Sequence, residues 1–324
     1  MRRVLFFLLR SGIVLVALGA ALFGWFAYSP APEVPRLSGK LTRGTVEAGG
    51  HARTWRTYVP KGLKRGAALV IALHGSGEDG ARMRIATGYG FERLADEHGF
   101  AVVYPDAYDG HWNACNVVGD YAANRLDIDD MGFLTGLADS LITEFGLDPG
   151  RVYATGISRG GHMAFRLALE APSRFRAVAA VAANVPTPDN FKCKPAGQGT
   201  SSVMIMNGTS DPLNPFNGGE VKFFGLYGRG TVRSSRASAQ YFADLNGLTS
   251  APESTEAGVA GGFRVQQVLW RDHSKVEVEL VAIHGGGHVL PQPWWRGPRG
   301  LGPTPREPNG PAVIWDFFER QRPN

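Results

Sequence analysis

The stretch VYATGISRGGHMAF, residues 152–165, restricts the fold more than any other part of the chain. It begins with an apolar run that is typical of a strand buried on both faces. It ends in a helical pattern, and only the tight turn GISRGG separates the two. Because glycines flank Ser158, the pattern G-x-S-x-G predicts a strand, a sharp turn and a helix that raise the serine hydroxyl above a sheet. The alternative is a structural turn in which the serine has no chemical role.

Apolar runs and helical patterns alternate along the rest of the chain. AALVIAL, FAVVYP, AVAAVAA and SVMIMN predict buried strands, whereas DMGFLTGLADSLITEF and PAVIWDFFERQ have helical spacing, as does the stretch over 83–98. RTWRTYV alternates and is expected to be an edge strand, and FRVQQVLW and KVEVELVAI are expected to pair as β-strands. Strands that alternate with helices predict an α/β fold with a mostly parallel central sheet and helices on both faces.

The N-terminal region predicts export from the cytoplasm. Arginines precede an apolar run over residues 11–28, whose length is close to that of a membrane-spanning segment. No clear small-residue cleavage site follows, so we expect an uncleaved membrane anchor rather than a cleaved signal peptide. Either one places the remainder of the chain outside the cytoplasm. The predicted organisation is a signal or anchor over 1–28, a linker over 29–40 and one α/β domain over 41–324.

The composition excludes some partners and suggests a disulfide. The chain has 324 residues, 44% of them hydrophobic and 19% charged, with a formal net charge of +5, which is typical of a globular protein. It has no long basic run and no basic motif interleaved with aromatic residues, so we expect no nucleic-acid partner. The two cysteines, Cys115 and Cys193, predict a disulfide in an oxidising compartment, with two buried thiols as the alternative.

A serine hydroxyl is a weak nucleophile until a base accepts its proton. In the chain order expected for this fold, an acid and then a histidine follow the serine. The stretch IHGGGHVLP offers His284, at the end of a strand, and His288, in a glycine-rich loop that can return over the serine. We expect His288 to be the base. A metal site is not expected, because this loop does not give two imidazoles the fixed spacing of a helix face; no cofactor is expected either.

Asp211 is the expected acid, because it follows the buried strand at the start of SVMIMNGTSDPLNP. A carboxylate there would hold the imidazole in one tautomer and stabilise its positive charge. Asp189, in the loop after the preceding strand, is the second candidate. The structural alternative for Asp211 is an Asx turn before Pro212.

An acyl-transfer site also needs backbone N–H donors for the oxyanion. One is expected from Arg159, the residue after the serine. The other is expected from Ser76, in the glycine-rich loop that follows the buried strand of LVIALHGSGEDG. A plain glycine-rich turn is the alternative at this second position.

Several segments together resemble a family of secreted α/β-hydrolase esterases that groups polyhydroxybutyrate depolymerases with feruloyl and acetylxylan esterases. In chain order they are LHGSGED, YPDAYDGHWN, DIDDMGFL, GISRGGHMA, MNGTSDPLNPFNGG, ELVAIHGGGHVLP and AVIWDFF. No single motif is specific for the family, but the ordered set is. The resemblance implies an α/β-hydrolase fold over the catalytic domain and the triad Ser158, Asp211 and His288, which the residues by themselves also indicate.

Two features bear on the substrate. Arg159 stands where such enzymes often have a small or amide side chain, so it is either a contact for an anionic or phenolic substrate or a surface arginine. Trp294 and Trp295 follow the catalytic loop closely and, with Trp112, are candidates to stack on an aromatic acyl group or a sugar. The alternative for the tryptophans is packing within a loop.

The expected function is that of an extracytoplasmic serine carboxylesterase that forms an acyl-enzyme. Its expected partner is an ester substrate, either a small molecule or a polymer fragment, with possible attachment to a membrane through the N-terminus. A peptidase or an acyltransferase with the same triad is the alternative enzyme, because a fold does not determine a function. The third hypothesis is an anchored binding protein that has lost catalysis.

Overall fold

The structure, a computed structural model, describes residues 16–119, 121–197, 199–223, 227–272 and 276–322. Its helices are α1 (residues 16–27), α2 (Gly80–Ala86), α3 (Gly90–His98), α4 (Ala122–Arg125), α5 (Asp130–Phe145), α6 (Arg159–Glu170), α7 (Ser235–Leu245) and α8 (Gly310–Arg320). Its strands are β1 (Lys40–Ala48), β2 (His51–Val59), β3 (Leu69–Leu73), β4 (Ala101–Pro105), β5 (Val152–Ile157), β6 (Ala177–Val181), β7 (Ser202–Gly208), β8 (Gly219–Phe223), β9 (Tyr227–Val232), β10 (Glu253–Ala260), β11 (Phe263–Arg271) and β12 (Glu277–Ile283).

Ten strands of the described chain form one sheet in the order β1-β2-β4-β3-β5-β6-β7-β12-β11-β10. Every neighbouring pair from β4 to β12 is parallel. The two outer strands on each side are antiparallel, and the predicted pair β11–β12 is one of these contacts. Strands β8 and β9 form a separate hairpin. The prediction of an α/β fold with a mostly parallel sheet is therefore confirmed.

Helices cover both faces of the sheet. In β3, Leu69, Ile71 and Leu73 pack against the face that carries α5, α6 and α7. The alternate residues Val70 and Ala72 pack against the face that carries α2, α3 and α8. A central strand is therefore buried on both sides, which explains why it is a continuous apolar run in the sequence.

The strand predicted from RTWRTYV is not an edge strand. It is β2, which pairs with β4 on one side and with β1 on the other. The turn Gly49-Gly50 folds β1 back onto β2, so that Lys40 lies opposite Val59. Strand β1 was not predicted because most of its residues are exposed, and the edge therefore shows no apolar pattern.

The helix predicted over 83–98 is two helices, α2 and α3. Gly88 and Tyr89 between them have left-handed backbone conformations, with φ of 61° and 57°. An α-helix does not continue through such residues, so the chain turns here between the two helices.

The predicted anchor lies partly outside the described residues, because residues 1–15 are not described. Helix α1 covers residues 16–27 of the predicted span 11–28. Among the described residues, no helix combines the length and the apolar character needed to cross a bilayer. The choice between an anchor and a cleaved signal stays a prediction.

Candidate active site

Ser158 lies in the turn between β5 and α6, at the carboxyl end of a central parallel strand. Its backbone has φ 55° and ψ −114°, a combination that L-residues rarely adopt. Its N–H donates to Val181 O at 2.8 Å, and its carbonyl accepts from His162 N at 3.0 Å. The strained conformation is therefore held by hydrogen bonds on both sides, as is common where a side chain is presented for function.

Two glycines allow helix α6 to pack directly on the sheet beside this turn. A Cβ atom at Gly160 would lie 2.2 Å from Leu73 O, and one at Gly156 would lie 2.3 Å from the carbonyl group of Gly160. Any side chain at either position would push α6 away from β3 and β5. The G-x-S-x-G pattern is thus required by the close approach of strand and helix.

His288 and Asp211 lie in the loops after β12 and β7, which are neighbouring parallel strands. Nδ1 of His288 is 2.7 Å from Oδ2 of Asp211, whose side chain is fully buried. The other carboxylate oxygen accepts hydrogen bonds from the backbone N–H groups of Leu213 and Asn214, both at 2.8 Å. Asp211 thus orients the imidazole through Nδ1, which leaves Nε2 as the ring atom for proton transfer.

The other candidates have different surroundings. Nδ1 of His284 is 3.2 Å from Nη2 of Arg264, outside the cavity of Ser158. Asp189 is exposed and also lies outside that cavity. His162 lines the cavity, but its Nε2 is 3.1 Å from Asn184 O, and burial lowers its pKa to about 3. Neutral His162 is therefore a packed residue.

Ser158 and His288 share a cavity of about 400 Å³ with Ser76 and Arg159. Two hydrogen bonds hold the loop that carries Ser76. Gly75 N donates to Glu78 Oε2 at 3.1 Å, and Gly77 N donates to Gly110 O at 2.9 Å. The backbone of Arg159 opens helix α6, whose N-terminal end favours negative charge. The two loops predicted to supply oxyanion donors therefore meet at one cavity.

Sequence reasoning missed Glu78 as a cavity residue. Burial raises the pKa of its carboxyl group, and the nearby guanidinium of Arg82, at 3.7 Å, acts in the opposite direction. The signal in the sequence was the position of this acid directly after the glycine-rich loop. Among the described residues, no group of three or more His, Cys, Asp or Glu side chains is arranged to hold a metal ion.

The structure corrects the assignment of two of the three tryptophans. Trp295 lines the cavity. Trp112 is fully buried, and its indole N–H donates to His74 O at 3.0 Å. The ring of Trp294 lies 4.7 Å from the guanidinium of Arg93, outside the cavity. Only Trp295 is therefore in a position to contact a bound substrate.

Arg159 is not a surface arginine, since it is only 2% exposed. Its guanidinium donates to Trp112 O at 2.8 Å, to Asn124 Oδ1 at 2.5 Å and to Asn116 Oδ1. It also lies over the ring of Tyr121, 4.3 Å from the centroid. Burial lowers the pKa of Arg159 to about 10. A charged group whose partners among the described residues are all neutral therefore forms part of the cavity wall.

The predicted disulfide between Cys115 and Cys193 is present, with the two Cα atoms 4.9 Å apart. It joins the loops that follow β4 and β6. Lys192 N donates to Cys115 O at 2.8 Å, so the two loops are also tied by their backbones. Because Asn116 is the neighbour of Cys115 and binds Arg159, the disulfide supports the same cavity wall.

The chain is similar in sequence to known esterases. Residues 54–214 match the family described as Esterase PHB depolymerase. Over 276 residues the chain is 29% identical to a putative esterase, NocK, from Nocardia uniformis subsp. tsuyamanensis, covering 82% of this chain and 78% of that protein. It is 25% identical over 250 residues to poly(3-hydroxyalkanoate) depolymerase C from Paucimonas lemoignei, covering 72% of this chain but only 58% of the relative.

The fold is also found among solved structures. An acetyl xylan esterase from Aspergillus awamori superimposes with a TM-score of 0.55 over 86% of this chain and 99% of its own, at 15% identity. At such a low identity the comparison shows only a shared fold, which is that of the α/β hydrolases. Residues 54–214 therefore form a domain of the esterase PHB depolymerase family.

Proposed function

We propose that the protein is a serine carboxylesterase that works through an acyl-enzyme. Family membership supports hydrolysis of carboxylic esters. The observation that carries the serine mechanism is one cavity in which strained Ser158 is joined by His288, whose Nδ1 lies 2.7 Å from buried Asp211. This set of residues matches the roles of nucleophile, base and orienting acid.

In this mechanism His288 accepts the proton of Ser158 Oγ through Nε2 as the oxygen attacks the ester carbonyl carbon. The carbonyl oxygen becomes an oxyanion in a tetrahedral intermediate. When the C–O bond to the alcohol breaks, His288 returns the proton to the departing alkoxide. Water then attacks the acyl-enzyme with the same base, and the carboxylic acid leaves while Ser158 recovers its proton.

The backbone N–H groups of Arg159 and Ser76 are proposed to stabilise the oxyanion. Both residues line the cavity, and Arg159 adds the favourable field of the α6 N-terminus. Fixed donors at such a position typically contribute about 3–4 kcal/mol each to transition-state stabilisation. Because the donors belong to the backbone, the side chain at residue 159 is free to serve another purpose.

The proposed substrates are esters with an apolar part. Ile157, Leu213, Val289 and Leu290 line the cavity beside the catalytic groups. The names of the relatives suggest hydroxyalkanoate and acetyl esters as first choices. The proposed location is outside the cytoplasm, which the disulfide between Cys115 and Cys193 supports because such bonds persist in oxidising compartments.

The test compares the full-length wild type with Ser158→Ala. We expect the wild type to hydrolyse short p-nitrophenyl esters, methyl ferulate, acetylated xylan or 3-hydroxybutyrate oligomers, and to be labelled by a fluorophosphonate. Ser158→Ala should lose labelling and reduce kcat by about 10⁴-fold or more. A wild type that is folded by circular dichroism but neither labelled nor active would refute the proposal in favour of a binding role. Faster cleavage of amides than of matched esters would indicate a peptidase.

A further inference from the structure

One part of the cavity wall carries two arginines around a single tyrosine. We call His111, Tyr121, Arg159 and Arg229 the arginine wall; all four residues line the cavity of Ser158. The guanidinium carbons of Arg159 and Arg229 are 4.3 and 4.7 Å from the centroid of the Tyr121 ring. The ring of His111 lies 4.4 Å from the same ring. Two positive charges thus lie against one aromatic side chain.

Among the described residues, no carboxylate forms an ion pair with the guanidinium groups of the arginine wall. In the described part of the chain, Arg159 donates to a backbone carbonyl and to the amides of two asparagines, all of them neutral. Of the ion pairs within 4.0 Å among the described residues, none includes Arg159 or Arg229. Asp130 attracts Arg159 from a distance but is itself paired with Arg53 at 2.6 Å. The wall therefore keeps an excess of positive charge.

The same excess of positive charge acts on His111. The pKa of His111 is lowered, first by burial and then by the charges of Arg159 and Arg229, although Asp109 acts in the opposite direction. Its Nδ1 is buried and has no hydrogen-bond partner in the described structure. A neutral His111 therefore adds no third positive charge to the wall.

The other cations of the cavity are already balanced. Lys222 is 2.9 Å from Glu220, and Arg82 is 3.7 Å from Glu78. The unbalanced charge is thus concentrated at the arginine wall, whereas Leu290 and Trp295 supply an apolar surface in the same cavity. A complementary ligand has an apolar body and one anionic end.

We propose that the arginine wall is a subsite for a carboxylate of the substrate. The preferred substrate is then an ester that carries a second, ionised carboxyl group on its acyl or its alcohol part. Guanidinium groups bind carboxylates through charge-assisted hydrogen bonds, and the stack on Tyr121 orients Arg229 before binding. This inference rests on the proposed function, since it names the substrate class of the same site.

The kinetic test compares mono-p-nitrophenyl glutarate with its neutral methyl ester. We expect the full-length wild type to favour the carboxylate in kcat/KM by about 10-fold or more, the gain typical of one charge-assisted hydrogen bond. Arg229→Met should bring the ratio close to unity. Arg43→Met removes one exposed positive charge from β1 and should keep the wild-type ratio. Raised ionic strength should lower the wild-type preference, because salt screens the attraction.

A binding measurement separates this proposal from the proposed function. Calorimetry on Ser158→Ala should show tighter binding of the anionic ester than of its methyl ester, again by about 10-fold or more. The same variant with Arg229→Met should lose the difference. If no ester is hydrolysed, the function fails while this measurement still tests the subsite. Equal affinity of Ser158→Ala for the two esters, or a kinetic ratio that Arg229→Met leaves unchanged, would overturn the inference.

Discussion

At the scale of a single residue, Asp211 both forms an Asx turn and contacts His288, the two roles that the sequence left as alternatives. One carboxylate oxygen accepts the backbone N–H groups of Leu213 and Asn214, which is an Asx turn. The other is 2.7 Å from His288 Nδ1. A carboxylate has enough lone pairs for both, so the turn is the means by which the acid is held in place for the histidine.

Unlike Asp211, Asn214 has a buried side chain without a hydrogen-bond partner among the described residues. It is 3% exposed, and neither its Oδ1 nor its Nδ2 has a hydrogen bond in the described structure. Leaving a buried polar group unpaired typically costs about 1–3 kcal/mol. We expect Asn214→Leu to raise the free energy of unfolding by about 1 kcal/mol, since the backbone N–H that binds Asp211 is retained. Thermal and urea denaturation measure this change.

The matched control is Asn190→Leu. Asn190, like Asn214, lines the cavity of Ser158. The side chain of Asn190 accepts from Val118 N at 2.8 Å and donates to Thr231 O at 3.2 Å. Its replacement should lower the free energy of unfolding, because these partners lose their hydrogen bonds. Equal destabilisation by both variants would mean that the amide of Asn214 also has a partner in solution.

At the scale of the element, the hairpin β8–β9 is the part of the site that the sequence did not predict. It contributes Val221, Arg229 and Val232 to the cavity. Thr187 N donates to Thr231 O at 3.1 Å, which ties the hairpin to the loop after β6. The hairpin lacks a long alternating pattern because it packs against loops rather than against the main core.

The same loop after β6 carries Cys193, one end of the disulfide, and the length of chain that this bridge closes predicts its effect on stability. Cys115 and Cys193 are 78 residues apart in the chain, so the bridge closes a long loop in the unfolded state. The entropy of loop closure predicts a loss of about 4.5 kcal/mol when both cysteines become alanine. Denaturation of wild type and double variant, each with and without dithiothreitol, measures this loss. Reductant should destabilise the wild type alone, and an equal effect on the double variant would contradict the assignment to this bridge.

At the scale of the whole molecule, the parallel sheet assembles the site. Ser158, Asp211 and His288 follow β5, β7 and β12, which lie within four adjacent positions of the sheet. The carboxyl ends of parallel strands share one edge, and ligands bind there in open α/β sheets. Three loops that are distant in the chain are thereby brought to one cavity.

The fold also depends on a histidine that must stay neutral. Nδ1 of His74 is 2.7 Å from Gly75 O, and its Nε2 accepts a hydrogen bond from Ala107 N at 3.0 Å. Burial lowers the pKa of His74 to about 4, whereas an unfolded histidine titrates near about 6.5. Below about pH 6.5 the unfolded state binds more protons than the folded state. The free energy of unfolding therefore decreases as the pH is lowered, until the pH reaches the pKa of His74 in the folded protein.

This difference in pKa predicts that His74 makes the folded protein less stable in acid, and a variant at this position measures its contribution. Between pH 7.5 and 5, protonation of His74 should remove about 2 kcal/mol from the free energy of unfolding. His74→Gln should be less stable at pH 7.5 but should lose less on acidification. Buried acids with raised pKa, such as Glu92, act in the opposite direction but are common to both proteins. Parallel stability curves of wild type and variant, from urea denaturation at each pH, would show that His74 does not cause the effect.

The sequence by itself determined the features that depend on local pattern. Continuous apolar runs identified the central strands, since burial on both faces requires them. The glycines around Ser158 identified the sharp turn, because no side chain fits between α6 and the sheet. The order of strands, loops and polar residues was enough to nominate His288 and Asp211, which the structure places in contact.

Only the tertiary structure decided the features that depend on distant partners. It showed that Trp112 is buried, with its indole N–H bonded to His74 O, while Trp295 lines the cavity. It placed Arg159 beside Tyr121 and brought Arg229, from a hairpin with no clear sequence pattern, to the same ring. The physical reason is that periodicity along the chain records whether a residue is buried, whereas its neighbours are set by how separate elements pack.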